Sequence, residues 1–177
     1  MYHAEPSAWV RRFAPLIPAG GAVLDIACGT GRHARLLAEM GFDVEAVDRD
    51  AQAIERLAGV PGIKTRIADL EGGEWPYSRE TFDGVVVTNY LHRPRFDRLL
   101  ELLRTNGVLI YETFMVGNEM LGRPSNPDFL LRQDELLERV RGRLDVVAFE
   151  QGRVDEPKPA FVQRICAIRH PAVSTVD

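Results

Sequence analysis

Hydrophobic positions along the chain fall into strand-length runs separated by stretches of helical spacing. Ala22–Ile26 and Val44–Asp48 are short and apolar, and Phe82–Thr88 is apolar and β-branched enough to predict a central strand. Ile63–Ala68 mixes Lys64, Thr65 and Arg66 with apolar residues, the pattern of an edge strand. Helical patterns lie between these runs. Residues 6–14 predict a short leading helix. Gly31–Met40 sets Ala34, Leu37 and Ala38 on one face and is closed by Gly41. Asp50 caps a helix through Leu57 that ends at Gly59. Pro94 opens a helix carrying Phe96, Leu99, Leu100 and Leu103, and Asn106-Gly107 turns into a strand over Val108–Glu112.

Residues 113–131 break the pattern with Gly117, Gly122, Pro124 and Pro127; irregular segments of this length in a compact domain tend to carry function. A helix near Asp134–Arg141 follows. Strands near Leu144–Phe149 and Phe161–Arg169 then flank an expected hairpin loop, Gln151–Pro159. Alternating strands and helices predict an α/β fold with a mostly parallel sheet, and two closing strands without a helix between them predict an antiparallel pair. No internal repeat or low-complexity segment is visible, and 177 residues suit one domain over 1–177.

Composition narrows the function classes. The formal net charge of −4 gives no electrostatic reason to expect nucleic acid or an anionic membrane as partner. No apolar stretch reaches the length of a bilayer span, and the first residues show no basic-then-apolar leader, so a cytoplasmic protein is expected. Cys28 and Cys166 form no CxxC pair, and with four scattered histidines a metal site has little support.

The chemistry concentrates in Val23–Gly31, V-L-D-I-A-C-G-T-G, an apolar strand ending in a carboxylate and a glycine-rich turn. Glycines there let the backbone approach a ligand and aim a helix N-terminus at it. Asp25, at a buried strand end, calls for a cationic or donating partner. Gly29-Thr30-Gly31-Arg32-His33-Ala34 also satisfies the dinucleotide pattern GxGxxA, but Asp25 would repel a pyrophosphate and there is no second half-domain for a hydride acceptor. Asp48, 19 residues after Gly29 at the next strand end, is placed to accept from both hydroxyls of a ribose.

The ordered segments VLDIACGTG, VEAVDRD, IADLEGG, FDGVVVTNYLHR and NGVLIYETF resemble, over nearly the whole chain, a class I S-adenosylmethionine-dependent methyltransferase. The likeness is greatest to small single-domain members of the tellurite-resistance and ubiquinone-biosynthesis types. It implies a Rossmann-like, doubly wound, seven-stranded sheet with an antiparallel C-terminal strand and helices on both faces. It also implies S-adenosyl-L-methionine as cofactor and S-adenosyl-L-homocysteine as product. By position, Asp25, Ala27, Cys28, Gly29 and Gly31 would wrap the methionine and ribose portions, and Asp48 would take the ribose hydroxyls. Arg49 would pack on adenine, Asp69 with Ala68 and Leu70 would meet the adenine amino group, and Asn89, Tyr90 and Leu91 would line the methyl end. Many members carry glycine where this chain has Ala27.

The acceptor is far less legible. No Asn/Asp-Pro-Pro-aromatic signature follows the fourth strand and no Pro-Cys pair is present, which favours a small-molecule acceptor over a protein or RNA. His92, Tyr90 and Glu112 are weak candidates for catalysis, with Thr113 beside Glu112 in the acceptor pocket. The segment 113–132, with Asn118, Arg123, Asn126 and Phe129, is expected to cover the acceptor. Tyr2, His3 and Trp9 of an N-terminal cap over residues 1–20 are expected to help. His33 and His170 read as surface residues and Cys28 as packing. The alternative function is a non-catalytic protein that keeps the cofactor site. A monomer or homodimer is expected.

Overall fold

The computed structural model describes residues 4–171; Tyr2 and His3 lie outside them. Seven strands form one sheet, β1 (Ala22–Ile26), β2 (Asp43–Asp48), β3 (Ile63–Ile67), β4 (Phe82–Thr88), β5 (Leu103–Phe114), β6 (Asp145–Val154) and β7 (Ala160–Ile168). Their order is β3-β2-β1-β4-β5-β7-β6. β1 to β5 pair in parallel, and β7 runs antiparallel to both β5 and β6. This is the Rossmann-like arrangement expected, with the chain winding outward from β1 in both directions.

Two apolar layers cover the sheet because successive strand residues point to opposite faces. Leu24, Ile26, Val85, Val87, Leu109 and Tyr111 pack with Phe96 and Leu99 of α4 (Phe96–Glu101) and Leu136 and Val140 of α5 (Glu135–Val140). Val23, Val44, Val86 and Ile110 pack on the other face. Their partners there are Val10 of α1 (Ala8–Phe13), Leu37 of α2 (Arg32–Glu39) and Ile54 of α3 (Ala51–Glu55). Helices therefore lie on both faces.

Local chemistry sets the element ends. The Ser7 hydroxyl accepts from the amides of Trp9 and Val10 and starts α1; the Asp50 carboxylate does the same for α3 through Gln52 and Ala53. β3 is an edge strand, its Lys64 and Arg66 pairing with Asp43 and Glu45 of β2. Some boundaries differ from the sequence expectation. Leu103 opens β5, where it pairs with Phe82 across a bulge, instead of closing α4. β5 also continues through Phe114. Gln151–Val154 belong to β6, because the edge strand needs only its backbone ladder to β7, which polar residues supply as well as apolar ones.

Candidate active site

The carboxyl ends of β1 to β5 open into one cleft of about 380 Å³. The turns that leave these strands build its wall. Ala27 follows β1, Asp48 and Arg49 end β2, and Ala68, Asp69 and Leu70 follow β3. Asn89, Tyr90 and Leu91 follow β4, and Thr113 and Phe114 end β5, with Pro124 and Phe129 reaching over from the long loop. In an open α/β sheet ligands bind along this edge, where the strand order reverses between β1 and β4.

The glycine-rich turn is braced from the neighbouring strand. Gly29 N–H donates to Asp48 Oδ2 and Asp50 N–H donates to Asp48 Oδ1, both at 2.9 Å, while Cys28 N–H donates to the Val47 carbonyl at 3.0 Å. Ala27 (φ 50°) and Gly29 (φ 53°) adopt left-handed backbone, and a side chain added at Gly29 would meet open space. Gly29, like its neighbours Cys28 and Gly31, is outside the cleft wall, but the open space beside it leaves a ligand free to lie along the turn. Gly31 has a different reason. It is not in the cleft wall; its φ is 80°, and a Cβ there would collide with the Leu57 side chain, so this glycine serves helix packing. Cys28 is likewise absent from the wall. Burial, and then the nearby Asp25 and Asp48, push its thiol pKa up, so it stays protonated and inert.

Asp25 sits behind the turn, 1% exposed, with neither carboxylate oxygen hydrogen-bonded. Burial pushes its pKa up to about 7, against a weaker opposing pull from the Ala34 amide and Arg32. It does not line the cleft. An orphaned carboxylate beneath an open glycine turn fits a cofactor that brings a cationic group to this place.

Asp69 lines the cleft but also accepts from Glu71 N–H (3.0 Å) and Gly72 N–H (3.2 Å). These bonds hold its carboxyl below the usual carboxylate range. Tyr90 lines the cleft, burial and then the nearby Glu71 push its phenol up, and its carbonyl accepts from the Tyr111 hydroxyl at 2.6 Å. Asn89 takes φ 53° and donates its N–H to the Glu112 carbonyl at 3.0 Å, which re-aims the chain after β4.

The residues considered for proton transfer lie elsewhere. His92 is outside the cleft wall, with Nδ1 3.8 Å from Glu71 Oε1. Glu112 points to the α1 face, where it accepts from Ser7 Oγ at 2.8 Å and pairs with Arg164 at 3.0 Å. Trp9 does not cover the cleft: it is 3% exposed and donates its indole N–H to the Ile165 carbonyl. His33, read as a surface residue, is 2% exposed. Its Nε2 accepts from Ser7 N–H at 2.9 Å, which leaves Nδ1–H to donate to Thr88 Oγ1 at 3.2 Å. Burial drives its pKa down to about 3, so the ring is neutral. Asn118 is a buried clasp, linking the Pro124 carbonyl and the Phe161 amide, while Arg123 and Asn126 are exposed outside the wall.

Arg93 escaped the sequence reading. Its guanidinium forks onto Glu135 with two bonds of 2.9 Å and reaches the carbonyls of Asp128 (3.2 Å) and Leu130 (2.7 Å), which sets the backbone around Phe129. Arg95 does the same on the other side through the carbonyls of Leu70 and Gly73. The signal for them in the sequence is an arginine pair flanking Pro94 directly after a strand-end site.

Residues 2–143 match the family described as methyltransferase domain. The chain belongs to this family, the class I S-adenosylmethionine-dependent methyltransferases. It is 31% identical over 112 residues to the protein-L-isoaspartate O-methyltransferase of Chlorobaculum tepidum, an alignment covering 57% of this chain and 48% of that protein. The chain spans about half the length of the curated relatives it matches. Among solved structures it resembles TehB from Haemophilus influenzae, with a TM-score of 0.78 and 20% identity over 94% of this chain and 63% of that one. It also resembles the Burkholderia thailandensis 1,6-didemethyltoxoflavin-N1-methyltransferase with bound substrate and S-adenosylhomocysteine. There the TM-score is 0.65 at 19% identity, over 93% and 79% of the two chains. At these identities the structures speak for the fold.

Proposed function

We propose that this chain transfers the methyl group of S-adenosylmethionine to a small-molecule acceptor in the cleft at the carboxyl edge of the sheet. The observation that carries this reading is the convergence of strand-end residues on one cavity. Ala27, Asp48, Arg49, Ala68, Asp69, Leu70, Asn89, Tyr90 and Leu91 all line it.

In this reading Asp48 takes the ribose hydroxyls. Each of its oxygens accepts one backbone N–H and keeps a lone pair for a further donor. Arg49 and Leu70 flank adenine, Asp69 receives the adenine amino group, and Asp25 supplies negative potential under the turn for the ammonium end. The cofactor supplies an electrophilic methyl on a sulfonium. Strong anionic stabilisation at sulfur would favour the ground state, so the residues nearest the methyl serve best by aligning and dehydrating it. Asn89 and Tyr90 answer this need: no carboxylate of their own, and a Tyr90 ring able to face a cation.

The cleft continues past Asn89 to Thr113, Phe114, Pro124 and Phe129, room for an acceptor that supports a catalytic protein over a cofactor-binding scaffold. A protein acceptor, as the name of the Chlorobaculum tepidum relative describes for that enzyme, is the alternative. Calorimetric titration with S-adenosylmethionine, S-adenosylhomocysteine and NADH tests the reading. Micromolar binding of the first two, weakened in Asp48→Ala, is the expected result; binding of NADH alone would overturn it.

A further inference from the structure

The cleft wall is divided by charge. Asp48, Arg49, Asp69 and Glu71 all sit on the side built by β2 and β3. Tyr90 stands between, its phenol under the influence of Glu71 and Asp69. The opposite end, beyond β5, is formed by Thr113, Phe114, Pro124 and Phe129, and among the described residues no charged side chain lines it. Charges close behind that end are already matched. Arg93 and Glu135 neutralise one another through a fork, and Glu112 is held by Arg164 and Ser7 on the far face of the sheet.

From this division we infer that the acceptor is a flat, uncharged heteroaromatic molecule methylated on a ring nitrogen; the inference rests on the proposed methyl transfer and names its substrate class. An anionic acceptor would lose its hydration at this end without a cation or a converging set of donors to replace it, and a cationic one would lack a carboxylate. Phe114, Pro124 and Phe129 instead give an apolar lining suited to a planar ring. The inference also accounts for the missing base. His92 and Glu112 are outside the cleft, the Tyr90 phenol is pushed up by burial and by Glu71, and the Glu71 carboxylate lies on the β3 side, so among the described residues no neutral-pH proton acceptor lines the end formed by Thr113, Phe114, Pro124 and Phe129. A ring nitrogen with a free lone pair needs none. Its lone pair forms the new N–C bond while the pair of the breaking S–C bond stays on sulfur. The positive charge thus passes from sulfonium to ring. Where the ring carries an N–H, its proton then leaves to water at the open mouth, beside the half-exposed Phe129. The same aromatic lining stabilises the ring cation as it forms.

Phe129 is the side chain to change, because it is exposed and its loop backbone is held independently by Arg93. The test measures isotopically labelled methyl transfer from S-adenosylmethionine to isoquinoline and benzimidazole, to their ring-carboxylated counterparts and to tellurite. Cofactor affinity is measured separately by calorimetry. Neutral rings should exceed the carboxylated ones by about tenfold or more in kcat/KM. Phe129→Ala should raise the acceptor KM by about tenfold while leaving the cofactor Kd within about twofold. A preference for carboxylated rings or tellurite overturns the inference. So does a Phe129→Ala variant with unchanged KM, or a protein that binds cofactor yet methylates no neutral ring. Failure to bind the cofactor at all is a different outcome, and it removes the proposed methyl transfer itself.

Discussion

The Asp48 carboxylate and the Gly29 amide, separated by 2.9 Å, tie the end of β2 to the turn after β1. One side chain therefore shapes the turn and faces the cleft. Asp48→Ala should cost about 1–3 kcal/mol of folding stability, since two backbone amides lose a charged acceptor. It should also weaken S-adenosylmethionine by more than tenfold. Asp48→Asn keeps an acceptor for one amide, so it should recover most of the stability and little of the affinity. Urea denaturation and calorimetry on the two variants separate these roles; equal losses in both properties for both variants would refute the division.

Gly29 and Gly31 should respond differently to alanine. Both have positive φ, so each carries a backbone cost of about 1–2 kcal/mol. At Gly31 the new methyl would also overlap Leu57, which adds about 1–3 kcal/mol of overpacking. At Gly29 it meets open space within the protein, so the damage should fall on ligand approach instead. The expected pattern is a large drop in Tm for Gly31→Ala and a large drop in cofactor affinity for Gly29→Ala. Matching losses in Tm would contradict it.

The contrast between legible and illegible parts follows from the range of the forces involved. β1 and β4 could be read because central parallel strands are buried on both faces and are mostly apolar, the buried Asp25 of β1 being an exception. The place of Asp48 in the cleft wall could be read because its spacing from the glycine turn is local to one βαβ unit. The role of His33 depends on Ser7 and Thr88, which are 26 and 55 residues distant in sequence, and a helix pattern alone gave it no reason to be inside. Glu112 sits on a strand whose neighbours alternate between cleft and α1 face, so its direction waited on register. Arg93 works through backbone carbonyls, which leave no mark on the residue types around Phe129.

Arg93 and Glu135 give a prediction of their own. Glu135 is 1% exposed; burial alone would raise its pKa, but the Arg93 fork and the Arg132 amide hold it below the usual value. Arg93→Met leaves a buried carboxylate short of its principal partner, which should cost about 3 kcal/mol. The paired change Arg93→Met with Glu135→Leu should recover much of that stability while still releasing the carbonyls of Asp128 and Leu130. Denaturant melts establish the first part. The second is checked by faster proteolysis of the 127–130 segment in the double variant; a segment as resistant as wild type would count against the Arg93 brace.

Asp25 and His33 should oppose each other in the pH dependence of stability. Asp25 has a folded pKa of about 7 against an unfolded value of 3.8, so the folded state holds its proton more tightly. Its contribution is greatest below pH 4 and declines as pH rises from 4 to 7. His33 has a folded pKa of about 3 against 6.5 unfolded, so the unfolded state binds the proton more tightly. Its contribution grows as pH rises from 3 to 6.5. Between pH 4 and 6.5 each slope amounts to about 3 kcal/mol, and the two nearly cancel in the wild-type protein. Asp25→Asn should therefore reveal a stability that climbs with pH, and His33→Gln one that falls. Urea titrations at pH 4, 5.5 and 7 read both slopes. If His33→Gln stays level across that range, the Asp25 carboxyl already ionises at its unfolded value, and the buried charge must have a partner in solution.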